Sequence, residues 1–246
     1  MSRLRVRFAK LGKIRFTSHR DVARIWERSL RRAQLPLAYT EGFSPRPKLS
    51  FGLALSTGYE SLGEYLDVAL RDDAPVEPDD VAARVAPGLP DGILVQAVVP
   101  LPSGADSLQQ VVTSCTWQIS LGGVAPPAVD DALAAAQNAT EILLTRERKG
   151  RTVTDDVRPA LVTARVLGPD EAPGGPGTRI EAELATQPRA LRPGELVTAI
   201  APPGPAWTPA RVTRTHQWTT AGGARREVIP LPSAATLAPH AGARAS

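Results

Sequence analysis

The chain opens with a regular alternation of hydrophobic and arginine residues. In the stretch SRLRVRF, Leu4, Val6 and Phe8 alternate with arginines. A period of two is typical of a β-strand with one apolar face and one polar face. The pattern therefore predicts an N-terminal strand with a buried face and a basic face. After a turn or bulge at Gly12, the alternation resumes and predicts that the strand continues through residues 13–16.

A helical period replaces the alternation at Ser18. Ser18 and Asp21 fit an N-cap residue followed by an acidic residue in the first helical turn. Pro36 ends the predicted helix, because its ring removes a backbone donor and clashes with the preceding turn. Hydrophobic positions spaced by three and four residues predict a buried face. This face holds Val22, Ile25, Trp26, Ser29, Leu30 and Ala33. The opposite face is basic and holds Arg20, Arg24, Arg28, Arg31 and Arg32.

A proline-containing loop follows the helix. Its sequence is EGFSPRPK, residues 41–48. The two prolines fix their own φ angles and push the preceding residues towards extended conformations. We expect a stiff loop that presents Arg46 and Lys48 at a low cost in conformational entropy. Phe43 lies in the same loop, where it either stacks on a nucleic-acid base or fills a core position.

Further hydrophobic segments complete the element order of the first half of the chain. Strands are predicted at residues 49–54, 65–70 and 93–100, with a short helix at 78–86. With the first strand and helix, the order is β–α–β–β–α–β, which is the order of a ferredoxin-like unit. A roughly similar order, with an insertion, is predicted for residues 111–221.

We therefore predict an α+β fold of two tandem ferredoxin-like domains. The first domain, which is basic, spans residues 1–102, and a linker at 103–110 joins it to a second domain at 111–221. Residues 169–177, which are rich in glycine and proline, are expected to form a flexible loop. The segment 222–246 is rich in alanine, glycine and proline and poor in core residues, so it is predicted to be a disordered tail.

The composition of the chain argues against several kinds of metal and disulfide site and against a membrane or secreted location. With one cysteine, the chain builds neither a disulfide framework nor a cysteine-rich zinc or iron–sulfur site by itself. Its three histidines show no metal-ligand spacing, and we predict no metal and no cofactor. No apolar run approaches the ~20 residues of a membrane span, and the N-terminus lacks the hydrophobic core of a signal peptide. We expect a cytoplasmic protein without a membrane partner.

Charge is distributed unevenly along the chain. Residues 1–50 hold thirteen Lys and Arg against three Asp and Glu, a net charge of +10. Because the whole chain carries +4, the remaining residues carry −6. This separation predicts an anionic partner for the N-terminal part: nucleic acid, an acidic protein face or a phosphate ligand. The predicted anion- or RNA-binding residues are Arg15, His19, Arg20, Arg24, Arg28, Arg31, Arg32, Phe43, Arg46 and Lys48. The alternative is a solvated helix face on which Asp21 and Glu27 pair part of the charge.

His19, at the predicted start of the helix, is the one candidate for an acid/base residue. Its imidazole titrates near neutral pH and suits either proton transfer or phosphate binding. The alternative is a histidine that packs against or caps the start of the helix. Because His19 has no convincing partner in the sequence, we assign no catalytic residue.

A series of specific short motifs lies in the first quarter of the chain. They are Lys10, Gly12, Arg15 and Phe16; Ser18-His19-x-Asp21; Arg24 with Glu27-Arg28; Arg31-Arg32-Ala33; Gly42-Phe43-Ser44-Pro45-x-Pro47-Lys48; and Ser50-Phe51, Gly58, Ser61 and Glu64. On these motifs the chain resembles the uncharacterised radical SAM-linked protein family, closely over residues 3–70 and more weakly to about residue 220. Members of that family look like a free-standing form of a domain that is also fused behind cobalamin-binding radical SAM proteins. The resemblance implies a working link to such an enzyme.

We interpret the chain as an RNA-binding accessory or substrate-presenting protein that works with a radical SAM enzyme. Because the chain lacks the three-cysteine cluster motif, it is not itself the radical SAM component. One alternative is a metal-independent RNA-processing nuclease that resembles CRISPR repeat endonucleases in architecture, with His19 and Lys48 as its acid/base set. Another is a protein–protein adaptor whose basic patch meets an acidic surface.

Overall fold

The computed structural model describes residues 2–72, 76–148, 150–173 and 175–230. Over these residues the fold is a mixed α+β fold with more strand than helix. Nine of the described strands form one mixed sheet, and two others pair only with each other.

In the first half of the chain, helices alternate with strands in the predicted order. The elements are β1 (Ser2–Lys10), α1 (His19–Arg32), β2 (Leu49–Phe51), β3 (Glu60–Leu70), α2 (Pro78–Val85) and β4 (Ile93–Leu101). The sheet order of this half is β4-β1-β3, and the short β2 pairs with the C-terminal part of β3. These strand pairs are all antiparallel.

The second half has the same alternation with a hairpin inserted. The elements are α3 (Leu108–Val111), β5 (Val112–Gly122), α4 (Pro126–Asn138), β6 (Leu143–Arg148), β7 (Arg151–Asp156), β8 (Leu161–Ala172), β9 (Gly175–Ala185), α5 (Pro193–Ile200), β10 (Pro209–Ala221) and β11 (Ala224–Glu227). The sheet order of this half is β10-β5-β9-β8, and β11 pairs with β10. The inserted hairpin consists of β6 and β7.

The two halves share one continuous sheet. β3 and β10 run parallel and pair Glu60 with Thr213 and Ser61 with Arg214. The full order is β4-β1-β3-β10-β5-β9-β8. A single sheet does not by itself confirm two tandem ferredoxin-like domains, and the predicted domain bounds stay a prediction.

Helix α1 is organised by its local sequence. The Ser18 hydroxyl accepts a hydrogen bond from the Asp21 amide at 3.2 Å and so caps the helix. Beyond the helix end, Gln34 adopts a φ of 52°, the left-handed conformation that commonly closes a helix. On the apolar face, Trp26 is fully buried, and its ring centroid lies 4.9 Å from that of Phe8. This contact anchors α1 on β1.

The helices α1, α4 and α5 lie on the same face of the sheet. Phe8, which contacts α1, pairs across strands with Glu64, and Glu64 forms an ion pair with Arg214. Arg214 pairs across strands with Trp117, which belongs to the core packed under α4 and α5. Directly paired residues project from the same face of a sheet. The core around Phe8 and the part of the second core around Trp117 therefore lie side by side on one face, called the helical face below.

The strand predicted at residues 13–16 is wrong. These residues lie in a 3-10 helix, Gly12–Phe16, instead of continuing β1. Gly12 has a φ of 70°, which turns the chain out of the strand, and the Leu11 amide donates to the Gly92 carbonyl at 2.8 Å. Alternation over so short a segment does not separate a strand from a tight helix.

The flexible loop predicted at residues 169–177 is also wrong over most of its length. β8 extends to Ala172, and β9 begins at Gly175, which pairs with Ala172. Gly175 has a φ of 105°, a conformation that glycine adopts without strain. The described residues of this segment therefore belong mostly to two long antiparallel strands.

The disordered tail predicted from residue 222 begins too early. The strand β11 pairs antiparallel with β10, with Thr219 opposite Arg226. Just after β11, Ile229 is buried in the second core. Residues 231–246, the rest of the predicted tail, lie outside the described residues.

Candidate functional site

An exposed arginine face runs along helix α1. It consists of Arg20, Arg24, Arg28, Arg31 and Arg32, all of which are exposed. Arg24 pairs with Asp21 at 3.1 Å, whereas the other four make no ion pair within the described part of the chain. At 1.5 Å per residue, the row from Arg20 to Arg31 is about 16 Å long. Four guanidinium groups are therefore available to an external anion.

A projecting loop adjoins this arginine face. At its base Tyr39 pairs with Pro47, and the Arg46 amide donates to the Thr40 hydroxyl at 3.1 Å. At its tip Phe43 is fully exposed, with a relative accessibility of 111%. Phe43 therefore does not fill a core position, and the core alternative of the sequence prediction is wrong.

A cation–π contact joins the loop to the helix. The Arg31 guanidinium lies 6.0 Å from the centroid of the Tyr39 ring, a cation–π distance. Arg46 is exposed in the loop and Lys48 is half-buried at its end. The structure thus places nine of the ten predicted residues on α1 or its adjoining loop; the exception is Arg15.

Arg15 has an internal partner. It lies in the 3-10 helix and pairs with Glu60 at 3.2 Å. Its guanidinium also covers the Phe16 ring at 4.7 Å from the ring centroid. Arg15 is therefore less available to an anion than the arginines of α1.

The basic face predicted for β1 is an internal network of ion pairs. Arg5 binds both carboxylate oxygens of Asp67, at 2.6 and 2.8 Å. Arg7 binds Glu227 and the Ile229 carbonyl, each at 2.5 Å. Both arginines are buried, with accessibilities of 7% and 3%. Because acids from distant parts of the chain neutralise Arg5 and Arg7, these two arginines offer little charge to a partner.

His19 lies apart from its predicted partner Lys48. It is the first residue of α1 and is exposed, and its ring meets the Phe51 ring edge-on at a centroid distance of 5.2 Å. It lines a cleft on the helical face, whereas Lys48 lines a separate groove with Asp67. The two side chains of the nuclease hypothesis therefore face different cavities.

The cleft that His19 lines was not predicted from the sequence. It has a volume of about 480 Å³ and lies between the starts of α1 and α5, above the junction of β3 and β10. Both halves of the chain contribute to it. We call it the interhelical cleft; its lining includes His19, Leu55, Thr57, Tyr59, Cys115, Trp117, Leu184, Ala190, Arg192 and Arg214.

Arg214 is a buried charge at the base of the interhelical cleft. It is 1% exposed and binds Glu64 at 2.6 Å and the Leu53 carbonyl at 2.8 Å. Burial opposes its charge, but the neighbouring Glu64 carboxylate more than offsets this and raises the pKa of Arg214. Arg214 also lies 5.2 Å from the Trp117 ring centroid. Arg214 is therefore a fixed cation that orders the floor of the cleft.

Two further groups of the cleft stay neutral near physiological pH. Burial raises the pKa of the Cys115 thiol to about 11, so Cys115 is not a reactive thiolate. Burial also raises the pKa of the Tyr59 phenol. The Tyr59 and Trp117 rings meet edge to face at a centroid distance of 6.1 Å. Sequence patterns did not point to these residues, because they come from separate strands and loops.

The described residues show neither a cluster of metal ligands nor a membrane-spanning helix. Among the described side chains, no three His, Cys, Asp or Glu residues lie together as metal ligands. In that part of the chain, no helix combines the length and the apolar composition needed to cross a bilayer.

Comparison with known proteins identifies a family to which this chain is similar. A family model described as an uncharacterized protein conserved in bacteria (DUF2344) matches residues 3–193. The matched range includes the arginine face, the projecting loop and most of the interhelical cleft, while Arg214 lies beyond it. No curated protein matches the chain.

Proposed function

We propose that this chain, which belongs to the bacterial DUF2344 family, is an RNA-binding accessory protein that works with a radical SAM enzyme. The observation that supports the RNA part is the arginine face of α1, where four exposed guanidinium groups form no ion pair among the described residues. Arginine presents a planar fork of donors that pairs with two phosphate oxygens at once. A row of such groups about 16 Å long suits a run of backbone phosphates better than a single small anion.

The projecting loop supports RNA over a purely electrostatic partner. Phe43 is fully exposed, so its ring is accessible to a partner. Unpaired bases stack on exposed aromatic rings in many single-strand binding proteins, at about 1–3 kcal/mol per base. The loop that carries Phe43 contacts α1 through Tyr39 and Arg31, so phosphates and bases of one strand have complementary sites on neighbouring elements.

The radical SAM part of the proposal is supported by the motifs in residues 3–70, which resemble the radical SAM-linked family. A chain with one cysteine cannot supply the three thiolates of a radical SAM cluster, so its role is to bind or present a substrate. We also propose that each half of the sheet is a ferredoxin-like unit. Each half has the order β–α–β–β–α–β, with the β6–β7 hairpin inserted in the second.

The RNA proposal is tested by crosslinking the protein to RNA in cells and by measuring RNA affinity in vitro. The test variant carries Arg24→Glu, Arg28→Glu and Arg31→Glu. The matched control carries Arg151→Glu, Arg211→Glu and Arg226→Glu, which are exposed arginines away from α1 and give the same change in net charge. We expect RNA recovery to be lost in the test variant and kept in the control.

Other outcomes would favour the alternatives. If wild-type protein recovers no RNA above background, the RNA proposal fails and the adaptor hypothesis takes its place. If purified protein cleaves the recovered RNA and His19→Ala abolishes cleavage, the nuclease hypothesis replaces it. Affinity purification of this protein from its native bacterium should also recover a radical SAM protein. If no radical SAM protein is recovered in repeated purifications, the proposed link to such an enzyme is contradicted.

A further inference from the structure

The interhelical cleft has the size and shape of a small-molecule site. Its volume of about 480 Å³ falls within the usual range of roughly 300–1,000 Å³ for ligand pockets. It forms only when both halves of the chain come together, because His19 and Tyr59 belong to the first half and Trp117 and Arg192 to the second. None of these residues has a role in the arginine face.

Apart from Arg214, which is paired with Glu64, the cleft is apolar at its floor and polar at its mouth. The floor contains buried Leu55, Trp117 and Leu184, with the half-buried Tyr59 ring beside them. The mouth contains the exposed residues Ser56, Thr57, His19, Ala190 and Arg192. A ligand that matches this gradient has a flat apolar part that enters first and a polar part that remains near solvent.

The charged side chains that line the cleft determine whether the polar end of the ligand is an anion or a cation. Apart from the neutral Tyr59 and Cys115, the charged or titratable side chains that line the cleft are His19, Arg192 and Arg214, and the described lining includes no carboxylate. Glu64 neutralises Arg214 from behind, which leaves Arg192 and His19 at the mouth. The polar end of the ligand is therefore an anion, and hydroxyl groups at Ser56 and Thr57 are available to it as donors.

We infer that the interhelical cleft binds one nucleotide, with the base at the aromatic floor and the phosphate at the mouth. An aromatic base linked to a phosphate is the chemistry that an apolar aromatic floor and a cationic mouth complement. His19 follows Ser18 at the start of α1, so the cleft opens where the arginine face begins. The nucleotide is either part of a bound RNA strand, in which case the inference rests on the function proposed above, or a free nucleotide.

The test uses two substitutions at exposed lining positions, which spare the core. Ala190→Trp fills the mouth of the cleft, and Arg192→Ala removes its cation. Arg226→Ala removes an exposed arginine outside the cleft and serves as the matched control. Thermal unfolding of each variant checks that the fold is intact.

Binding of AMP, GMP, CMP and UMP, with adenosine as a phosphate-free comparison, is measured by calorimetry on the full chain. We expect a nucleoside monophosphate to bind, and Ala190→Trp and Arg192→Ala to weaken its binding by about tenfold or more. Adenosine should bind more weakly than AMP, and Arg226→Ala should bind like wild type. In parallel, the same variants are titrated with a single-stranded RNA of about 12 nucleotides.

The mononucleotide titration and the RNA titration together distinguish a free nucleotide from a nucleotide of a bound RNA strand. If the cleft variants lose mononucleotide binding but keep the RNA affinity of wild type, the ligand is a free nucleotide. A tenfold loss of RNA affinity in the cleft variants, without measurable mononucleotide binding, identifies a nucleotide of the RNA strand. If neither ligand responds to Ala190→Trp or Arg192→Ala, the inference is overturned, even where RNA binding still depends on the arginines of α1. If mononucleotides bind in the cleft and RNA does not bind at all, the proposed function fails and the cleft assignment stands.

Discussion

Arginines recur at regular intervals in both β1 and α1, but the two sets lie in opposite environments in the fold. Arg5 and Arg7 are 7% and 3% exposed and bind Asp67 and Glu227. The arginines of α1 are all exposed, and Arg24 alone among them has an ion-pair partner within the described chain. One row contributes to the interior of the protein, and the other is available to a partner.

The difference shows that the net charge of a stretch of sequence does not predict the charge that it contributes to the protein surface. Residues 1–50 carry a net charge of +10, but Arg5, Arg7 and Arg15 are paired with acids from residue 60 onward. A charge is buried at an acceptable free energy only when a partner and hydrogen bonds compensate its lost hydration. The positive surface that remains is therefore concentrated on α1 and its adjoining loop.

The largest predicted effect is on the paired row. Asp67→Asn leaves Arg5 buried without its counterion, and we expect the free energy of unfolding to fall by about 3–5 kcal/mol, measured by urea denaturation. The matched change on the exposed row is Asp21→Asn, which removes the partner of Arg24 at the surface. We expect a much smaller loss there, because water screens the exposed charge. Equal losses in the two variants would contradict the distinction between the rows.

The second prediction concerns the exposed row. Replacing Arg24, Arg28 and Arg31 together with alanine should leave stability nearly unchanged, since all three side chains lie in solvent. RNA affinity should fall by about 100-fold or more, and the slope of log affinity against log salt should decrease by about 2. The affinity of the variant and of wild type is measured across a salt series. An unchanged slope would show that these arginines do not contact phosphates.

The third prediction separates stacking from charge. Phe43→Ala removes a fully exposed ring, so stability should change by less than about 0.5 kcal/mol. RNA binding should weaken by about 1–3 kcal/mol, the value of one base–aromatic stack, while the salt slope stays as in wild type. Phe43→Tyr is the control that keeps a ring for stacking. If alanine and tyrosine variants bind RNA alike, Phe43 is not a stacking platform.

The smallest predicted effect is a pH dependence near the paired row. Burial lowers the pKa of His216 below its ordinary value of 6.5, against the opposing effect of Glu227 and with help from Arg7 and Arg225. The unfolded chain therefore binds a proton at a higher pH than the folded chain does. His216 should make stability fall as the pH drops below 6.5 towards its folded pKa. The difference in unfolding free energy between wild type and His216→Gln, followed from neutral to acidic pH, measures this contribution, and a constant difference would contradict it.

The arginine face was predictable because its causes lie within α1 itself. Ser18 and Asp21 mark the helix start, and a period of three and four separates Trp26 from the arginines. The interhelical cleft was not predictable, because Tyr59, Trp117 and Arg214 are brought together by the parallel pairing of β3 and β10. The hairpin at residues 169–177 was missed because glycine and proline mark tight turns and flexible loops alike.

The sequence alone determined the α1 helix, its two faces and the stiff turn of the following loop. Capping, backbone restriction by proline and side-chain periodicity act between residues that are close in the chain, so they can be recognised in a short stretch of sequence. The tertiary structure alone decided which arginines are neutralised and where a cleft opens. Those outcomes depend on partners that are 62 residues away for Arg5 and 220 residues away for Arg7, because burial and ion pairing are properties of the packed chain.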